Sequence, residues 1–417
     1  MKISIQEKEA NILRTLGEKY IKYASLPVQR EKLALWKSLN HCKMHRPMVV
    51  IDQLPWHELE AANPEALKTK ISDPFWESVE CQLRRTIYQW ENFPVDMLLE
   101  PYITIPAAID FPGYGVDIDA DAVIKAENES ARAKHFNPVL NSIEDVDKIK
   151  DIVLTNDTVK NDLHMQEAEF IFNGVAPVVL SHGVSFNIGV WDALSTYRGV
   201  EEVYFDLIDQ PEFLHALMRR ITDATLAGIK SANSLNIYND ISPVCHCSYV
   251  YNDDLLPDFG KGLGAVSKNS WAYGLAQLFT SVSKDVTEEF ELPYVTEMAK
   301  EFGAIYYGCC ERIDNRLDVI KKIPNLKKVS CSPWSDRNNF AERIGKDVVI
   351  SAKPTPAVFA GESFNEDLAR EDIDTMYRAA KANGANLEFI LKDLSTVHCD
   401  PTRLTRWHEM VMSMVCK

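Results

Sequence analysis

Short apolar runs alternate with amphipathic stretches along most of this chain. Runs of strand length fall at 97–105, 176–181, 235–241, 303–307, 326–331, 348–352 and 387–391, with an eighth near 262–267. Between them, apolar residues recur at helical spacing over 200–208, 211–231, 287–302, 316–323, 339–344 and 369–382. Buried parallel strands separated by helices imply an α/β fold whose ligands sit at the carboxyl ends of the strands. Seven or eight such units favour closure into a (β/α)8 TIM barrel over an open sheet.

The first part of the chain follows a different pattern. Residues 1 to about 40 read as amphipathic helix, with Ile12, Leu13, Leu16, Tyr20 and Ile21 on one face. A short apolar strand follows at 46–52, then an aromatic-rich helical stretch at 74–91. The expected division is therefore a mainly helical extension over 1–95, with one or two small strands, and the barrel over 96–417. The irregular regions 106–138 and 242–272 are long enough to be functional loops. No internal repeat or low-complexity tract interrupts the pattern.

The run ending in Tyr307-Gly308-Cys309-Cys310-Glu311 places two thiols and a carboxylate just past a strand end. Cys and Glu offer soft and hard metal ligands, and this is where a barrel keeps its chemistry. The same thiols also suit simple packing, since free Cys behaves as a small hydrophobe. Other candidates share the expected rim. Glu100 lies in an apolar run and needs a polar pocket or a partner. His182 ends the strand at 176–181 as an acid/base, a ligand or a substrate contact. Asp240 ends the run at 235–241, where Asp is otherwise depleted. Lys353 reads as a pocket cation or a solvated loop lysine. Cys331, Asp393, His398 and Cys399 follow later strands. Cys245-His246-Cys247 contains ligand types, but in an extended segment at most two of the three converge.

Composition narrows the classes. The chain has 417 residues, 46% of them hydrophobic and 25% charged, and no apolar run of the ~20 residues that a membrane span needs. The N-terminus lacks the apolar core of a signal peptide. Nine cysteines, an odd number, then point to reduced thiols and a cytoplasmic setting. A net charge of -16 argues against nucleic-acid binding, although local basic groups still permit an anionic small substrate. GxGxxG after the first strand, GxxxxGK[ST], GxSxG and HExxH are all absent, which disfavours dinucleotide enzymes, P-loop NTPases, serine hydrolases and zincins.

From about residue 96 onward the chain resembles the uroporphyrinogen decarboxylase superfamily, which includes the corrinoid-dependent methyltransferases. The resemblance rests on 96–100, on His135-Phe136-Asn137-Pro138-Val139 with Ile143-Glu144-Asp145-Val146, on 177–187 with Asp192-Ala193-Leu194, on 209–214 and on 290–294. Glu100 stands where the decarboxylases carry an aspartate. Their arginine-rich substrate motif and their glycine-histidine-glycine have no counterpart, so porphyrinogen decarboxylation is not expected.

The methyltransferase branch carries a zinc His-x-Cys at a strand end and a further Cys near the last strand. Here the thiol falls on Cys309 or Cys310 and the His position on Tyr307 or Gly308, with Glu311, Cys331 and Cys399 as substitute ligands. The resemblance implies zinc-assisted methyl transfer from a small O-, S- or N-methylated substrate to a corrinoid (cobalamin), on a partner corrinoid protein. His182 or Asp240 would then handle the proton, and Lys353 would orient an anionic group. The alternatives are a decarboxylase or lyase acting through Glu100, His182, Asp240 and Lys353, or a non-catalytic corrinoid-binding paralogue. A homodimer fits the family's habits.

Overall fold

The computed structural model describes residues 5–122, 134–238, 244–255 and 264–416. Its strands are β1 (Met48–Ile51), β2 (Ile103–Pro106), β3 (Ile109–Asp110), β4 (Asp119–Ala122), β5 (Lys134–Asn137), β6 (Thr155–Asn156), β7 (Val178–Ser181), β8 (Val244–Cys245), β9 (Ser248–Tyr249), β10 (Trp271–Gly274), β11 (Ala304–Tyr307), β12 (Leu326–Cys331), β13 (Val349–Ala352) and β14 (Asn386–Leu391). The principal helices are α1 (Glu7–Ala24), α2 (Pro27–Asn40), α3 (Trp56–Ala62), α4 (Pro64–Leu67), α5 (Pro74–Asn92), α6 (Thr158–Phe172), α7 (Trp191–Arg198), α8 (Val200–Asp209), α9 (Pro211–Leu235), α10 (Lys284–Phe290), α11 (Leu292–Ala299), α12 (Leu317–Ile320), α13 (Arg337–Ile344), α14 (Glu366–Asn383) and α15 (Thr402–Val415).

A six-stranded parallel sheet organises the molecule, in the order β1-β14-β13-β12-β11-β10. The first strand pairs with the last, so Val49 lies opposite Phe389 and Ile51 opposite Leu391. β1 thus joins the central sheet from within the segment 1–95, which is otherwise helical. β2 and β7 form a separate parallel pair. Isolated bridges link Val184 to Tyr238, Asn187 to Tyr273 and Tyr238 to Ala265. Among the described residues the sheet does not close into a barrel.

Alternation along the strands sorts the side chains onto two faces. Val49, Ile51, Ile305, Tyr307, Val329, Cys331, Ile350, Phe389 and Leu391 join the large core beneath the helices. Met48, Val50, Ala304, Tyr306, Val349 and Ile390 face the other way, against Trp36 and Leu39 of α2 and Cys245 and Cys247 of the hairpin β8–β9. A third core packs α1, α5 and α6 onto β2–β7 through Leu13, Trp76, Leu83, Ile103, Ile105 and Phe172.

Several boundaries differ from the sequence expectation for identifiable reasons. The helix expected over 287–302 breaks at Glu291, because Pro293 enters the first turn of α11 and cannot continue the preceding hydrogen-bond ladder. The run at 97–105 is strand only in β2, since Pro101 supplies no donor. Of the strand expected near 262–267, residues 262–263 lie outside the described residues and Ala265 makes an isolated bridge to Tyr238; the next strand is β10, at 271–274. In the run 235–241, Ile237 and Tyr238 precede residues outside the described set, and Tyr238 makes only isolated bridges. No helix among the described residues is long and apolar enough to cross a membrane.

Candidate thiol site at the strand ends

β11 ends at Tyr307, and the chain turns sharply at Gly308 (φ +92°). A Cβ at that position would lie 3.0 Å from Ser330 Cβ, so glycine meets both the backbone angle and the close approach to β12. The turn presents the buried Cys309 at the strand end. Lys392, one residue past β14, donates from Nζ to Cys309 Sγ at 2.9 Å, and Cys310 Sγ lies 3.3 Å from Cys309 Sγ. Hydrogen bonding from Cys310 pulls the Cys309 thiol down to about 3, helped by His246 and Lys392 and opposed by burial. Cys310 keeps its proton, which faces the Cys309 thiolate and Asp393 Oδ2 at 2.6 Å, and its pKa rises accordingly. Burial disfavours the Lys392 ammonium, but the sulfurs of Cys247, Cys309 and Cys310 hold its pKa above the ordinary lysine value.

The hairpin β8–β9 supplies the other half of the cluster. Its tight turn is His246–Cys247, with His246 at φ +56°, a left-handed conformation uncommon for a residue with a Cβ. The imidazole stacks on Tyr273 (centroids 5.0 Å apart, planes at 21°) and meets Tyr306 edge-on at 5.7 Å. Its Nε2 is buried without a directed hydrogen bond. Burial alone would neutralise this ring. Cys247 and Cys309 outweigh burial and push the His246 pKa up to about 9. The buried Cys247 thiol shifts down despite desolvation, because Lys353, His246 and Lys392 favour its thiolate. Cys247 Sγ lies 3.6 Å from the Tyr306 hydroxyl. Lys353 Nζ donates to that hydroxyl at 2.5 Å and to Ser351 Oγ at 2.8 Å. Asp52, just past β1, is raised by burial and feels Lys392, His246 and Lys353 as compensating charges. A cavity of about 130 Å³ opens between Asp52 and Cys247.

Carboxylates lie on the other side of Cys309. Glu311 is buried, and both its oxygens accept backbone hydrogen bonds, from Cys309 N at 2.7 Å and Ala276 N at 3.1 Å. Asp192, near the start of α7, accepts from Gln277 N at 3.0 Å. Burial first, and the Glu311 charge second, push Asp192 up to about 7.

The structure therefore keeps part of the expected constellation and redistributes the rest. Cys309, Cys310 and Lys353 converge with Lys392, His246, Cys247 and Asp52. Glu311 accepts one backbone hydrogen bond on each oxygen at the turn. Cys331 lies on the helix-covered face, where burial pushes its thiol up to about 12. Cys399 is exposed, and its N–H donates to Glu58 Oε2 at 3.0 Å. His398 lies on the surface, with Nε2 2.9 Å from the Ala360 carbonyl. His182 directly follows β7, on the strand pair rather than the six-stranded sheet. Glu100 precedes β2 and accepts from the Tyr251 hydroxyl at 2.5 Å. Asp240 lies outside the described residues. His246 and Cys247 were visible as a Cys-His-Cys triplet, but an extended reading separates neighbours that a tight turn brings together. Lys392 stood at the end of the last apolar run, without a motif to mark it.

In kind, the cluster suits zinc: three thiols, one of them held as thiolate, beside an imidazole whose Nε2 lacks a hydrogen bond and would release its proton on binding a metal. The donors are not gathered as a closed set, and side-chain rotation would have to bring them together. Among the described residues, the one His/Cys/Asp/Glu group with all ligand atoms within 4.8 Å of one another is His41, Asp253 and Asp254. That group lies at the surface, and Lys37 Nζ already occupies Asp253 Oδ2 at 3.1 Å.

No protein-family model matches the chain, and no curated protein matches it. Among solved structures it is similar to a methyltransferase from Methanosarcina mazei, at 11% identity and a TM-score of 0.49, over 91% of this chain and 97% of that one. So slight a likeness carries no argument about fold or chemistry.

Proposed function

We propose that the protein is a methyltransferase that moves a methyl group from a small O-, S- or N-methylated substrate to a corrinoid carried by a partner protein. The observation that carries this reading is the Cys309 thiolate at the sheet's carboxyl end, among Cys310, Cys247, Lys392 and the free Nε2 of His246. The sequence resemblance to the corrinoid-dependent branch supports the choice of acceptor. The frame is barrel-like, because first strand pairs with last and the bridges at Val184, Asn187 and Tyr238 lie where a circle would be completed.

Cys309, His246 and one or both of Cys247 and Cys310 would hold a zinc ion. When bound, zinc supplies Lewis acidity toward the heteroatom that loses the methyl group. Lys392 neutralises the thiolate charge that gathers there. Asp192, pushed up to about 7, is protonated in part of the molecules at neutral pH and would supply that proton to the demethylated heteroatom. Lys353, fixed by Tyr306 and Ser351, orients an anionic group of the substrate.

The test combines zinc analysis with turnover. Wild-type protein is expected to carry about one zinc per chain and, given reduced corrinoid and methylated donors, to change the corrinoid's visible spectrum. Cys309→Ser is expected to lose both. A zinc-free wild type that leaves the corrinoid unchanged with every donor overturns the reading. One observation favours a second reading, a decarboxylase or lyase. Lys353 and Lys392, two buried cations at the thiol cluster, also suit a carboxylated substrate, and release of CO2 by zinc-free protein would select it.

A further inference from the structure

Beneath the hairpin, away from the thiols, a second cavity of about 250 Å³ opens between α1, α5 and the segment 97–104. It is lined by Tyr20, Thr86, Glu100, Tyr102, Tyr249 and Tyr251, with Val79, Leu83 and Ile103 adding apolar wall. Among the described residues, Glu100 is its one charged side chain. Its Oε1 accepts from the Tyr251 hydroxyl at 2.5 Å, and its Oε2 accepts no hydrogen bond among the described residues. Glu100 also makes no ion pair among them. The nearby Lys37 is engaged by Asp253 at 3.1 Å. Tyr249 and Tyr251 stack with centroids 6.1 Å apart.

A half-buried carboxylate without a counter-ion is costly, and the complement of such a site is a cation. Phenol rings and aliphatic walls around it suit a cation clothed in methyl or methylene groups, which keeps contact with aromatic carbon while placing its charge at the carboxylate. The volume lies near the lower limit for ligand pockets and so selects a small molecule. We propose that this cavity is a binding site for a small alkylated ammonium ion, with Glu100 as counter-ion and Tyr20, Tyr102, Tyr249 and Tyr251 as its aromatic lining. Burial raises the Glu100 pKa above the ordinary carboxylate value, opposed by the Tyr251 hydrogen bond and the Lys37 charge. Met97, Val244 and Tyr249 line both this cavity and the smaller one at Cys247. Its occupant therefore touches the base of the hairpin whose turn carries His246 and Cys247. The site does not depend on zinc or on methyl transfer.

Calorimetric titration with tetramethylammonium chloride at constant ionic strength tests it, with tert-butanol as the uncharged counterpart. Saturable binding of the cation and none of the alcohol are expected. Glu100→Gln, which keeps the shape and the Tyr251 contact, should weaken cation binding by at least about tenfold. Thr86→Leu, which fills the cavity without touching Glu100, should weaken it comparably, while Cys309→Ser should leave it unchanged. Circular dichroism establishes that each variant is folded. Absence of saturable binding, equal binding of the alcohol, or unchanged binding by folded Glu100→Gln would each overturn the proposal.

Discussion

Two buried lysines share one face of the central sheet and do different things. Lys328, within β12, donates to Glu388 Oε2 at 2.6 Å, Ser248 Oγ at 2.6 Å and the Tyr249 carbonyl at 3.1 Å. Three acceptors satisfy the three N–H bonds of an ammonium, and no donor remains for a ligand. Lys392, just beyond β14, meets Cys309 Sγ at 2.9 Å and, among the described residues, otherwise only Asp393, at 3.8 Å. Its charge goes into keeping a thiol ionised. The difference separates a lysine that fastens the hairpin to the sheet from one that prepares a reactive group. Saturation of donors, more than depth, marks the structural member of the pair.

Glu388→Ala breaks the comparison most forcefully, because it leaves the Lys328 ammonium buried and unpaired. Stability is expected to fall by ~3–5 kcal/mol in urea unfolding. A loss below ~1 kcal/mol would mean that Lys328 is as adaptable as Lys392.

A smaller effect comes from the opposite face, where Glu291 is fully buried and accepts from the Tyr307 hydroxyl. Burial raises Glu291 to about 7, with Arg316 opposing the shift. A raised carboxyl is protonated in the folded protein and ionised in the unfolded chain between ~4.3 and about 7. Its stabilising contribution is therefore complete below that window and is lost as pH rises through it. Asp192 acts in the same direction. Glu291→Gln should flatten this slope and raise the unfolding free energy above pH ~7 by an amount on the order of 1–3 kcal/mol, with little change near pH ~4. An identical pH profile for wild type and variant would remove Glu291 from the account.

Lys392→Met should disturb folding least, by under ~1 kcal/mol, since the methionine stem replaces the lysine stem in a site without a saturated hydrogen-bond set. Its signature is chemical. In metal-free protein the ultraviolet absorbance of the Cys309 thiolate should appear at higher pH than in wild type. An unshifted thiolate titration would assign the ionisation of Cys309 to Cys310 and His246 alone.

The sequence made the β12 run legible to the residue, because six successive positions, the last four of them buried, bounded by turns leave little freedom. Which face each residue takes was not legible. Ser330 and Cys331 are neighbours, yet Ser330 Oγ reaches the Cys309 carbonyl at 2.5 Å while Cys331 enters the helix-covered core. A strand end tells where a side chain is, but its face depends on a register that only the neighbouring strands set. The thiols at Cys309 and Cys310 were found by position in the pattern. The imidazole came from His246, some sixty residues earlier, because a hairpin folds across the sheet and delivers it from a distance that no local motif records. Glu100 kept the half-buried polar setting expected of it, in a different cavity from the thiols.

The most direct test of the central claim is the zinc content of wild-type protein and Cys309→Ser after identical reconstitution and exhaustive dialysis. A thiolate centre built on Cys309 predicts about one zinc per wild-type chain and a severalfold lower content in the variant. Equal zinc in both proteins, or none in either, would contradict it.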